Sequence, residues 1–271
     1  MTDLKAAAFD LDDTLLHDDL SISLYTKEVF RTLASNGFLF IAASGRTLLS
    51  MKPFTDFLSC VSICISCNGA LIWDPRSDKV LYRVEIPVEL CGEIARFGKE
   101  YRCYAQTYSD NRFFFNEHSE YAERYASTAM LPGYCVGDLE VFIREPRSKI
   151  LMMADEKKIS DMLDDAQERF RGRVSVTCSK PYFLEFSPLE ATKGIALKKA
   201  AGLMGVSVGE IITFGDSLND LPMLEVSGRS VAVANARQEV LEFCHEICSS
   251  NQEDGVAKYL AANLLKGELP I

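Results

Sequence analysis

The sequence predicts an α/β protein in which an inserted α+β domain interrupts a parallel-sheet core. Three successive units of apolar strand, polar strand end and helix open the chain, and the same alternation returns after residue 188. Between them, from about residue 86, strands and helices are mixed without that alternation. A length of 271 residues suffices for two domains with buried cores. We therefore predict a core of residues 1–85 and 185–271 and an inserted domain of residues 86–184.

The core elements are predicted from apolar runs, helix caps and glycines. Ser21 or Ser23 can cap the first helix, and Gly37 and Gly205 can end helices. The predicted core strands are residues 4–9, 38–43, 60–66, 210–214 and 231–234, with a hairpin at residues 70–83. The predicted core helices are about residues 23–36, 47–58, 193–204, 221–226 and 252–266, and the last of them contains Gly255.

The inserted segment has its own set of helices and strands. A loop with Pro132 and Gly133 divides it into two parts. The predicted helices are residues 87–101, 120–129 and 156–170, and the predicted strands are residues 103–108, 112–116, 148–154, 173–178 and 182–186.

Charge and composition exclude several classes of partner. The formal net charge of −10 argues against a general affinity for nucleic acid or for anionic membranes. No apolar stretch has the length of a membrane span, and no secretory signal is visible. Nine cysteines scattered through apolar segments suit a reducing cytoplasm. We expect a cytoplasmic protein without nucleic-acid or membrane partners, and the sequence leaves its oligomeric state open.

One cysteine pattern admits a metal-cluster interpretation. Cys60, Cys64 and Cys67 have the C-x3-C-x2-C spacing typical of radical S-adenosylmethionine enzymes. Their segment alternates like a strand, in which Cys64 and Cys67 would point to opposite faces. We therefore expect small buried side chains rather than an iron–sulfur cluster.

The segment Asp10-Leu11-Asp12-Asp13 ends the first predicted strand with three carboxylates in four positions. Two carboxylates one residue apart reach the same edge of a sheet, which is where open α/β sheets bind ligands. Like charges this close call for a cation. Mg²⁺ with a phosphate fits, because this ion favours one or two carboxylates together with phosphate oxygens. Taken alone, the segment is equally compatible with an acidic surface turn.

Polar residues at three further element ends favour the phosphate interpretation. Ser44 follows the second strand, Lys193 begins a helix, and the segment 215–220 follows the strand 210–214. If the strands are parallel, all of these residues lie on one rim. In phosphoryl transfer through an aspartate, one carboxylate attacks phosphorus and a second moves the proton. Further carboxylates hold Mg²⁺, and hydroxyl and ammonium groups stabilise the phosphate oxygens.

Four motifs in this order resemble those of the haloacid dehalogenase-like phosphohydrolases. They are Asp10-Leu-Asp-Asp-Thr, Ser44-Gly-Arg, Lys193-Gly and Gly215-Asp-Ser-Leu-Asn-Asp. The segments 68–70, 231–236 and 251–256 are similar to the Cof-type subgroup, as is the position of the insertion. The resemblance covers the whole core and implies a Rossmann-like fold with a large inserted cap. The cap segment is similar to the family in its position and layout but not in its motifs.

The resemblance implies a role for each motif residue. Asp10 would be the nucleophile and Asp12 the general acid/base. Asp220 would be a supporting acid at the metal, and Asp12 would bind it through its main-chain oxygen. The implied metal ligands are therefore Asp10, Asp12, Asp216 and Asp220. The implied phosphate-binding residues are Ser44, Gly45, Lys193 and Asn219.

Two positions depart from the usual Cof-type pattern. Asp13 stands where the subgroup usually has glycine, and Ser44 stands where it usually has threonine. Serine keeps the hydroxyl donor, and Asp13 is common among relatives with other caps. Neither departure removes a catalytic function.

The implied activity is a magnesium-dependent phosphatase acting on small phosphate monoesters. Sugar phosphates are the first expectation, followed by phosphorylated cofactors such as pyridoxal phosphate or flavin mononucleotide. Five residues of the cap could touch the substrate: Tyr104, Tyr108, Arg112, His118 and Tyr182. Ordinary packing within the cap also explains each of them.

Three alternatives to a phosphatase share part of this pattern of residues. A phosphomutase of the same family would share every catalytic residue and stays open. A phospho-aspartate receiver domain would lack both an acid two residues after the phosphoacceptor and a large insertion. A calcium-binding loop starting at Asp10 would need glycine where Leu15 stands and glutamate where Ser21 stands.

Overall fold

The computed structural model describes residues 4–109, 112–129, 131–178 and 180–265. The strands are β1 (Ala6–Phe9), β2 (Leu39–Ala43), β3 (Ile63–Ser66), β4 (Leu71–Asp74), β5 (Lys79–Arg83), β6 (Tyr104–Ser109), β7 (Arg112–Phe115), β8 (Gly133–Cys135), β9 (Ile150–Met153), β10 (Ser175–Thr177), β11 (Phe183–Ser187), β12 (Ile211–Gly215), β13 (Arg229–Val233) and β14 (Glu246–Cys248). The α-helices are α1 (Leu24–Ser35), α2 (Leu48–Leu58), α3 (Val88–Glu100), α4 (Glu120–Ala129), α5 (Leu139–Phe142), α6 (Glu156–Arg169), α7 (Lys193–Met204), α8 (Leu221–Val226), α9 (Gln238–Phe243) and α10 (Gly255–Leu264).

The described chain divides into two compact units. The core unit contains the described residues up to 45, residues 51–82 and the described residues from 192 onwards. The cap unit contains residues 46–50 and 83–191. Strand β11 spans the predicted boundary between residues 184 and 185 and pairs within the cap sheet.

The core unit is built on an eight-stranded sheet in the order β14-β13-β12-β1-β2-β3-β4-β5. Neighbours from β14 to β3 are parallel, and β4 is antiparallel to β3. All four residues of β1 are inaccessible to solvent, as expected for a central strand covered on both faces. The predicted parallel-sheet α/β core is confirmed, and the carboxyl ends of β1, β2 and β12 meet at one edge of the sheet.

Aromatic and aliphatic residues fill the two sides of the core sheet separately. On one side, the ring of Phe30 from α1 stacks on Phe40 of β2 with centroids 4.3 Å apart, and Phe9 of β1 meets Phe30 edge-on. On the other side, α7 packs against β1, β2 and β3 through small and aliphatic side chains such as Ala196 and Ala200. Small residues on α7 allow a close approach to the sheet, which positions the first residue of that helix.

The cap unit is built on a six-stranded sheet in the order β10-β11-β9-β6-β7-β8. Side chains alternate between its faces, so that Ile150 and Met152 pack with α3 and α6, whereas Leu151 and Met153 pack with α4. The pairing is mixed, with β7 and β8 parallel and the other neighbouring strands of this sheet antiparallel, which agrees with the predicted α+β character.

The candidate substrate-contacting residues of the cap all have partners within the cap unit. The hydroxyl of Tyr104 donates to Gln106 at 2.8 Å, and Gln106 donates to the hydroxyl of Tyr108 at 2.7 Å. Tyr108 in turn donates to Tyr125 at 2.8 Å. The other three candidates make ring contacts, His118 with Phe115, Arg112 with Tyr134, and Tyr182 with Phe183 and Arg124. The hydroxyl of Tyr182 also accepts a hydrogen bond from Arg124 at 3.4 Å.

Several short elements differ from the sequence-based expectation. The predicted loop around Gly133 contains strand β8, and this glycine is required because an added Cβ would lie 2.2 Å from the ring of Phe113. The predicted helix 252–266 starts only at Gly255, where a Cβ would lie 1.8 Å from the carbonyl of Ser249. Its predicted end at Lys266 lies outside the described residues. Helix α9 and strand β14 were not predicted, because six and three residues are too short for a clear period.

No helix among the described residues is both long and apolar enough to cross a membrane.

Candidate functional site

Three carboxylates converge at the edge of the core sheet where β1 and β12 end. Asp10 directly follows β1, and its main-chain N–H donates to the carbonyl of Phe214 in β12 at 3.2 Å. Asp216 directly follows β12, and Asp220 follows one turn later. One carboxylate oxygen from each of the three residues lies within 4.8 Å of the others, and all three residues are buried.

Lys193 places an ammonium group among these carboxylates. Its Nζ atom lies 2.8 Å from Oδ1 of Asp10 and 2.5 Å from Oδ1 of Asp220, and the side chain is fully buried. Burial alone would lower the pKa of Lys193, but the charges of Asp10 and Asp220 outweigh burial and raise it. The lysine therefore stays protonated.

Close helix packing brings Lys193 to this position. Thr192 caps α7 by accepting a hydrogen bond from the N–H of Ile195 at 3.1 Å, which fixes where the helix begins. An added Cβ on Gly194 would lie 2.2 Å from the carbonyl of Pro222 in α8. Glycine after the lysine thus lets α7 and α8 touch, which seats Lys193 against Asp220.

Asp220 has partners for both of its oxygens. Oδ1 accepts the hydrogen bond from Lys193, and Oδ2 accepts the main-chain N–H groups of Asp216 and Ser217, both at 3.0 Å. The turn is tight, because a Cβ on Gly215 would lie 2.6 Å from Cβ of Asp220. Asp220 therefore fixes the loop that carries Asp216, and orients Lys193.

Asp216 is held by two hydroxyl groups. Thr14 donates to Oδ1 at 2.7 Å and Ser217 donates to Oδ2 at 2.6 Å. Burial, together with repulsion from Asp220, raises the pKa of Asp216 to about 6. The cluster therefore resists carrying its full negative charge.

Asp10 is under the same constraint. Burial raises its pKa well above the ordinary value, the attraction of Lys193 opposes this effect, and Asp220 and Asp216 add repulsion. Its Oδ1 atom is buried and, despite the short distance to Lys193, accepts no well-aligned hydrogen bond among the described residues.

Asp12 and Asp13 lie in the turn that follows β1. Asp12 is half-buried and Asp13 is exposed. Asp13 has a φ of +57°, in the left-handed region that glycine occupies without strain and that aspartate tolerates better than most residues. The left-handed backbone explains why the Cof-type pattern usually has glycine here.

Ser44, Gly45 and Asn219 are connected through Asn68. Ser44 is buried after β2, and its carbonyl accepts the N–H of Asn68 at 3.1 Å. Asn219 donates to Oδ1 of Asn68 at 3.0 Å, and a Cβ on Gly45 would lie 3.0 Å from the same oxygen. The structure therefore brings these three predicted residues together around Asn68, whose main chain has a φ of +55°.

The cysteines form no comparable group. Among the described residues, Asp10, Asp216 and Asp220 are the one group of three His, Cys, Asp or Glu residues whose ligand atoms lie close enough to hold a metal. Cys60, Cys64 and Cys67 are buried free thiols, and burial raises the pKa of Cys60 to about 11. They are the small buried side chains that the strand-like alternation predicts.

Five residues at the site have no role assigned from the sequence. Thr14, Ser217 and Asn68 contact predicted site residues directly, whereas Asn235 and Asn251 contact the turn after β1. The segments 68–70, 231–236 and 251–256, which contain three of these residues, are similar to the Cof-type subgroup. That similarity marks the segments but does not indicate which residues their side chains contact.

Comparison with known proteins agrees with this geometry. The family model described as haloacid dehalogenase-like hydrolase matches residues 7–260. A putative phosphatase from Buchnera aphidicola subsp. Schizaphis graminum is 30% identical over 267 residues, which cover 97% of this chain and 96% of the relative.

Two further proteins extend the comparison. A 5-amino-6-(5-phospho-D-ribitylamino)uracil phosphatase from Bacillus subtilis is 27% identical over 264 residues, covering 93% of this chain and 95% of the relative. The crystal structure of a haloacid dehalogenase-like hydrolase from Bacteroides thetaiotaomicron matches with a TM-score of 0.89 and 26% identity, covering 96% of this chain and 99% of that one.

Proposed function

The chain belongs to the haloacid dehalogenase-like hydrolases and is a phosphatase of that family, and we propose that it hydrolyses small phosphate monoesters through an aspartyl-phosphate on Asp10, with Mg²⁺ as cofactor. The observation that carries this proposal is the convergence of Asp10, Asp216 and Asp220 around one buried lysine. In the core unit, a nucleophile and an ammonium group at the end of one parallel sheet suit an anionic substrate.

The residues present fit a magnesium ion. The donor set is made of carboxylate oxygens, which this ion prefers, and the buried Oδ1 of Asp10 accepts no aligned hydrogen bond from the residues that the structure describes. Asp10, Asp216 and the main-chain oxygen of Asp12 would hold the ion, while Asp220 would act through Lys193 and the Asp216 loop. When bound, Mg²⁺ would offset the repulsion between these carboxylates and an incoming phosphate.

In the first half-reaction, a carboxylate oxygen of Asp10 forms a bond to phosphorus as the bond from phosphorus to the ester oxygen breaks. Asp12 gives its proton to the departing oxygen, so that the product leaves as a neutral alcohol. Lys193 and Ser44 would stabilise the phosphate oxygens during transfer, and Asn219 would orient them. Covalent attachment to Asp10 divides one difficult displacement into two easier ones.

In the second half-reaction, water attacks the phosphorus of the aspartyl-phosphate. Asp12, now a carboxylate, accepts the proton of the attacking water, and the bond from phosphorus to Asp10 breaks. Inorganic phosphate is released, Asp10 is a carboxylate again, and Asp12 has regained its proton.

The proposed substrates are sugar or sugar-alcohol phosphates, followed by phosphorylated cofactors. The Bacillus subtilis relative is named for a substrate whose phosphate sits on a ribityl chain, which supports a polyol phosphate for this chain. We also propose a cytoplasmic location, because the nine cysteines are free thiols. The test of substrate class is phosphate release across a panel of hexose, pentose and ribityl phosphates, pyridoxal phosphate and flavin mononucleotide.

Removal of the nucleophile tests the mechanism. The substitution Asp10→Asn should lower turnover of an aryl phosphate on the order of 10⁴-fold or more, because the amide does not attack phosphorus. Asp19→Asn, which changes an exposed carboxylate near the same turn, is the matched control and should retain turnover. Retained activity in Asp10→Asn would contradict the mechanism.

Chelation tests the metal assignment. EDTA should abolish phosphate release, and added Mg²⁺ should restore it. Activity that survives chelation would contradict the assignment.

A phosphomutase of the same family is the second candidate, because it would use the same residues. Steady release of inorganic phosphate from monoesters supports the phosphatase. Transfer of phosphate between hydroxyl groups of one sugar, without release, would support the mutase.

A further inference from the structure

The carbonyl groups of the turn after β1 are bonded in an unusual way. Within the turn, the N–H groups of Leu15 and Leu16 both donate to the single carbonyl of Leu11, at 3.0 and 2.8 Å. The carbonyls of Asp13 and Leu16 instead accept side-chain amides that lie more than 200 residues away in sequence. This turn therefore takes part of its shape from distant residues.

The two distant amides belong to Asn235 and Asn251. Asn235 donates to the carbonyl of Asp13 at 2.7 Å, and Asn251 donates to the carbonyl of Leu16 at 2.9 Å. The main-chain N–H of Asn251 also donates to Oδ1 of Asn235 at 2.9 Å. Both ends of the Asn235 amide are thus used, and the two asparagines form one connected unit, which we call the asparagine clamp.

The clamp also lies next to the second acidic loop. Two residues after Asn235, the main-chain N–H of Arg237 donates to the carbonyl of Asp216 at 2.9 Å. The short segment 235–237 therefore bonds to the turn that carries Asp12 and to the loop that carries Asp216. It fixes how far apart these two loops lie.

The left-handed residue in the turn is where the clamp acts. Asp13, at a φ of +57°, has a left-handed conformation that costs a non-glycine residue free energy, although aspartate tolerates it better than most. The bond from Asn235 to the carbonyl of Asp13 helps to hold this conformation. Loss of this bond removes one constraint on the backbone at Asp13 and on the adjoining peptide of Asp12.

We propose that Asn235 and Asn251 are positioning residues that hold the Asp12–Asp13 turn in its reactive shape against Asp216. The side chains of both residues donate to main-chain carbonyls of the turn, and they therefore act through the main chain. The proposal rests on the proposed function for its kinetic effect, but the effect on the turn is independent of any reaction.

Asn235→Asp is the most informative variant. It keeps the side-chain size and the oxygen that accepts from Asn251, and it removes the donor to Asp13. Asn235 is exposed, so the variant is expected to fold. Asn116→Asp is the matched control, because Asn116 likewise accepts from one main-chain N–H and donates to one carbonyl, both at 2.9 Å, but within the cap unit.

The kinetic expectation separates kcat from KM. Asn235→Asp should lower kcat for an aryl phosphate by about tenfold to a hundredfold with KM nearly unchanged, because a misplaced general acid slows the chemical steps. Asn251→Asp should act in the same direction, and Asn116→Asp should leave kcat within about twofold. A kcat for Asn235→Asp that equals the control would overturn the proposal.

Hydrogen exchange tests the turn without relying on activity. In Asn235→Asp, the amides of residues 11–16 should exchange faster than in the unsubstituted protein, while those of β1 and β12 stay protected. Asn116→Asp should leave the exchange of residues 11–16 unchanged. Unchanged exchange at residues 11–16 in Asn235→Asp would overturn the clamp even if the protein is an active phosphatase. If no substrate is turned over, the proposed function fails while the exchange result still decides the clamp.

Discussion

Each unit of this protein contains a buried lysine, and the two lysines are paired differently. In the cap unit, Lys149, which directly precedes β9, forms an ion pair with Glu185 of the neighbouring strand β11. In the core unit, Lys193 lies against Asp10 and Asp220, with Asp216 beside them. Three carboxylates against one ammonium leave two negative charges in excess.

The difference teaches which buried charges point to a ligand. In a buried pair of opposite charges, the attraction between the two groups offsets their loss of hydration, so no further ion or ligand is needed to balance the charge. Burial, together with repulsion between the carboxylates, raises the pKa of Asp10 and Asp216, and pKa shifts of this kind are typical of functional sites. The core cluster is therefore a candidate reaction centre, whereas the Lys149–Glu185 pair is explained by the cap structure alone.

Replacing each lysine by methionine gives the largest expected difference. Lys193→Met should lower kcat/KM for an aryl phosphate by about 10³-fold, because it removes a donor aimed at the transferred phosphate. Steady-state kinetics of phosphate release measures this loss.

Lys149→Met is the matched variant in the other unit. It leaves Glu185 buried without its ammonium and should reduce the free energy of unfolding by about 3–5 kcal/mol. Its kcat/KM, measured below the unfolding transition, should fall far less than that of Lys193→Met. Equal kinetic losses in the two variants would remove the distinction between the two lysines.

The pH dependence of stability gives an effect of intermediate size. The pKa of Asp216 is raised from 3.8 to about 6 in the folded protein, so the folded state binds this proton more tightly than the unfolded chain does. The resulting stability is present below pH 4 and is lost as pH rises through 6. The change corresponds to roughly 3 kcal/mol and can be measured by denaturant unfolding in EDTA.

Added Mg²⁺ should reverse this trend. Because the ion binds the deprotonated carboxylates, its stabilising effect should grow over the same pH range. Asp216→Asn is the control and should flatten both dependences. If the difference in unfolding free energy between the unsubstituted protein and Asp216→Asn did not change from pH 4 to pH 6 in EDTA, that result would contradict the raised pKa.

The smallest expected effect concerns Asn68. Asn68→Gly keeps the left-handed backbone and removes the amide that accepts from Asn219. One lost hydrogen bond of about 1 kcal/mol should raise KM for phosphate esters about fivefold with a smaller change in kcat. Asn68→Ala adds backbone strain to the same loss, so its stability should fall below that of Asn68→Gly. An unchanged KM in Asn68→Gly would show that Asn219 needs no support from this amide.

Much of the core arrangement was predictable because it depends on one rule of geometry. Parallel neighbours bring their carboxyl ends to one edge, so the positions of Asp10 and Asp216 follow from recognising the strands β1 and β12. The sequence places Lys193 on the same rim, as the start of a helix, and the family resemblance implies a phosphate-binding role for it. The ammonium group of Lys193 reaches Asp10 and Asp220 because Gly194 lets its helix approach Pro222 closely. The hydrophobic period of a helix does not predict such a contact.

The contacts that refine the site could not be predicted in the same way. The bond from Asn235 to Asp13 joins residues 222 positions apart, and local patterns carry no information at that separation. The left-handed residues Asn68 and Asp13 both take part in such long-range bonds, with Asn219 and Asn235 respectively. The short elements β8, α9 and β14 lacked enough residues to show a period.

Trapping the phosphorylated enzyme tests the central claim most directly. Turnover of an aryl phosphate is stopped with acid, the protein is reduced with borohydride, and its peptides are analysed by mass spectrometry. If Asp10 carries the phosphate as an acyl-phosphate, reduction converts that residue to homoserine, and no other aspartate changes. Recovery of unmodified Asp10 from a protein that was releasing phosphate when quenched, or homoserine at another position, would contradict the account.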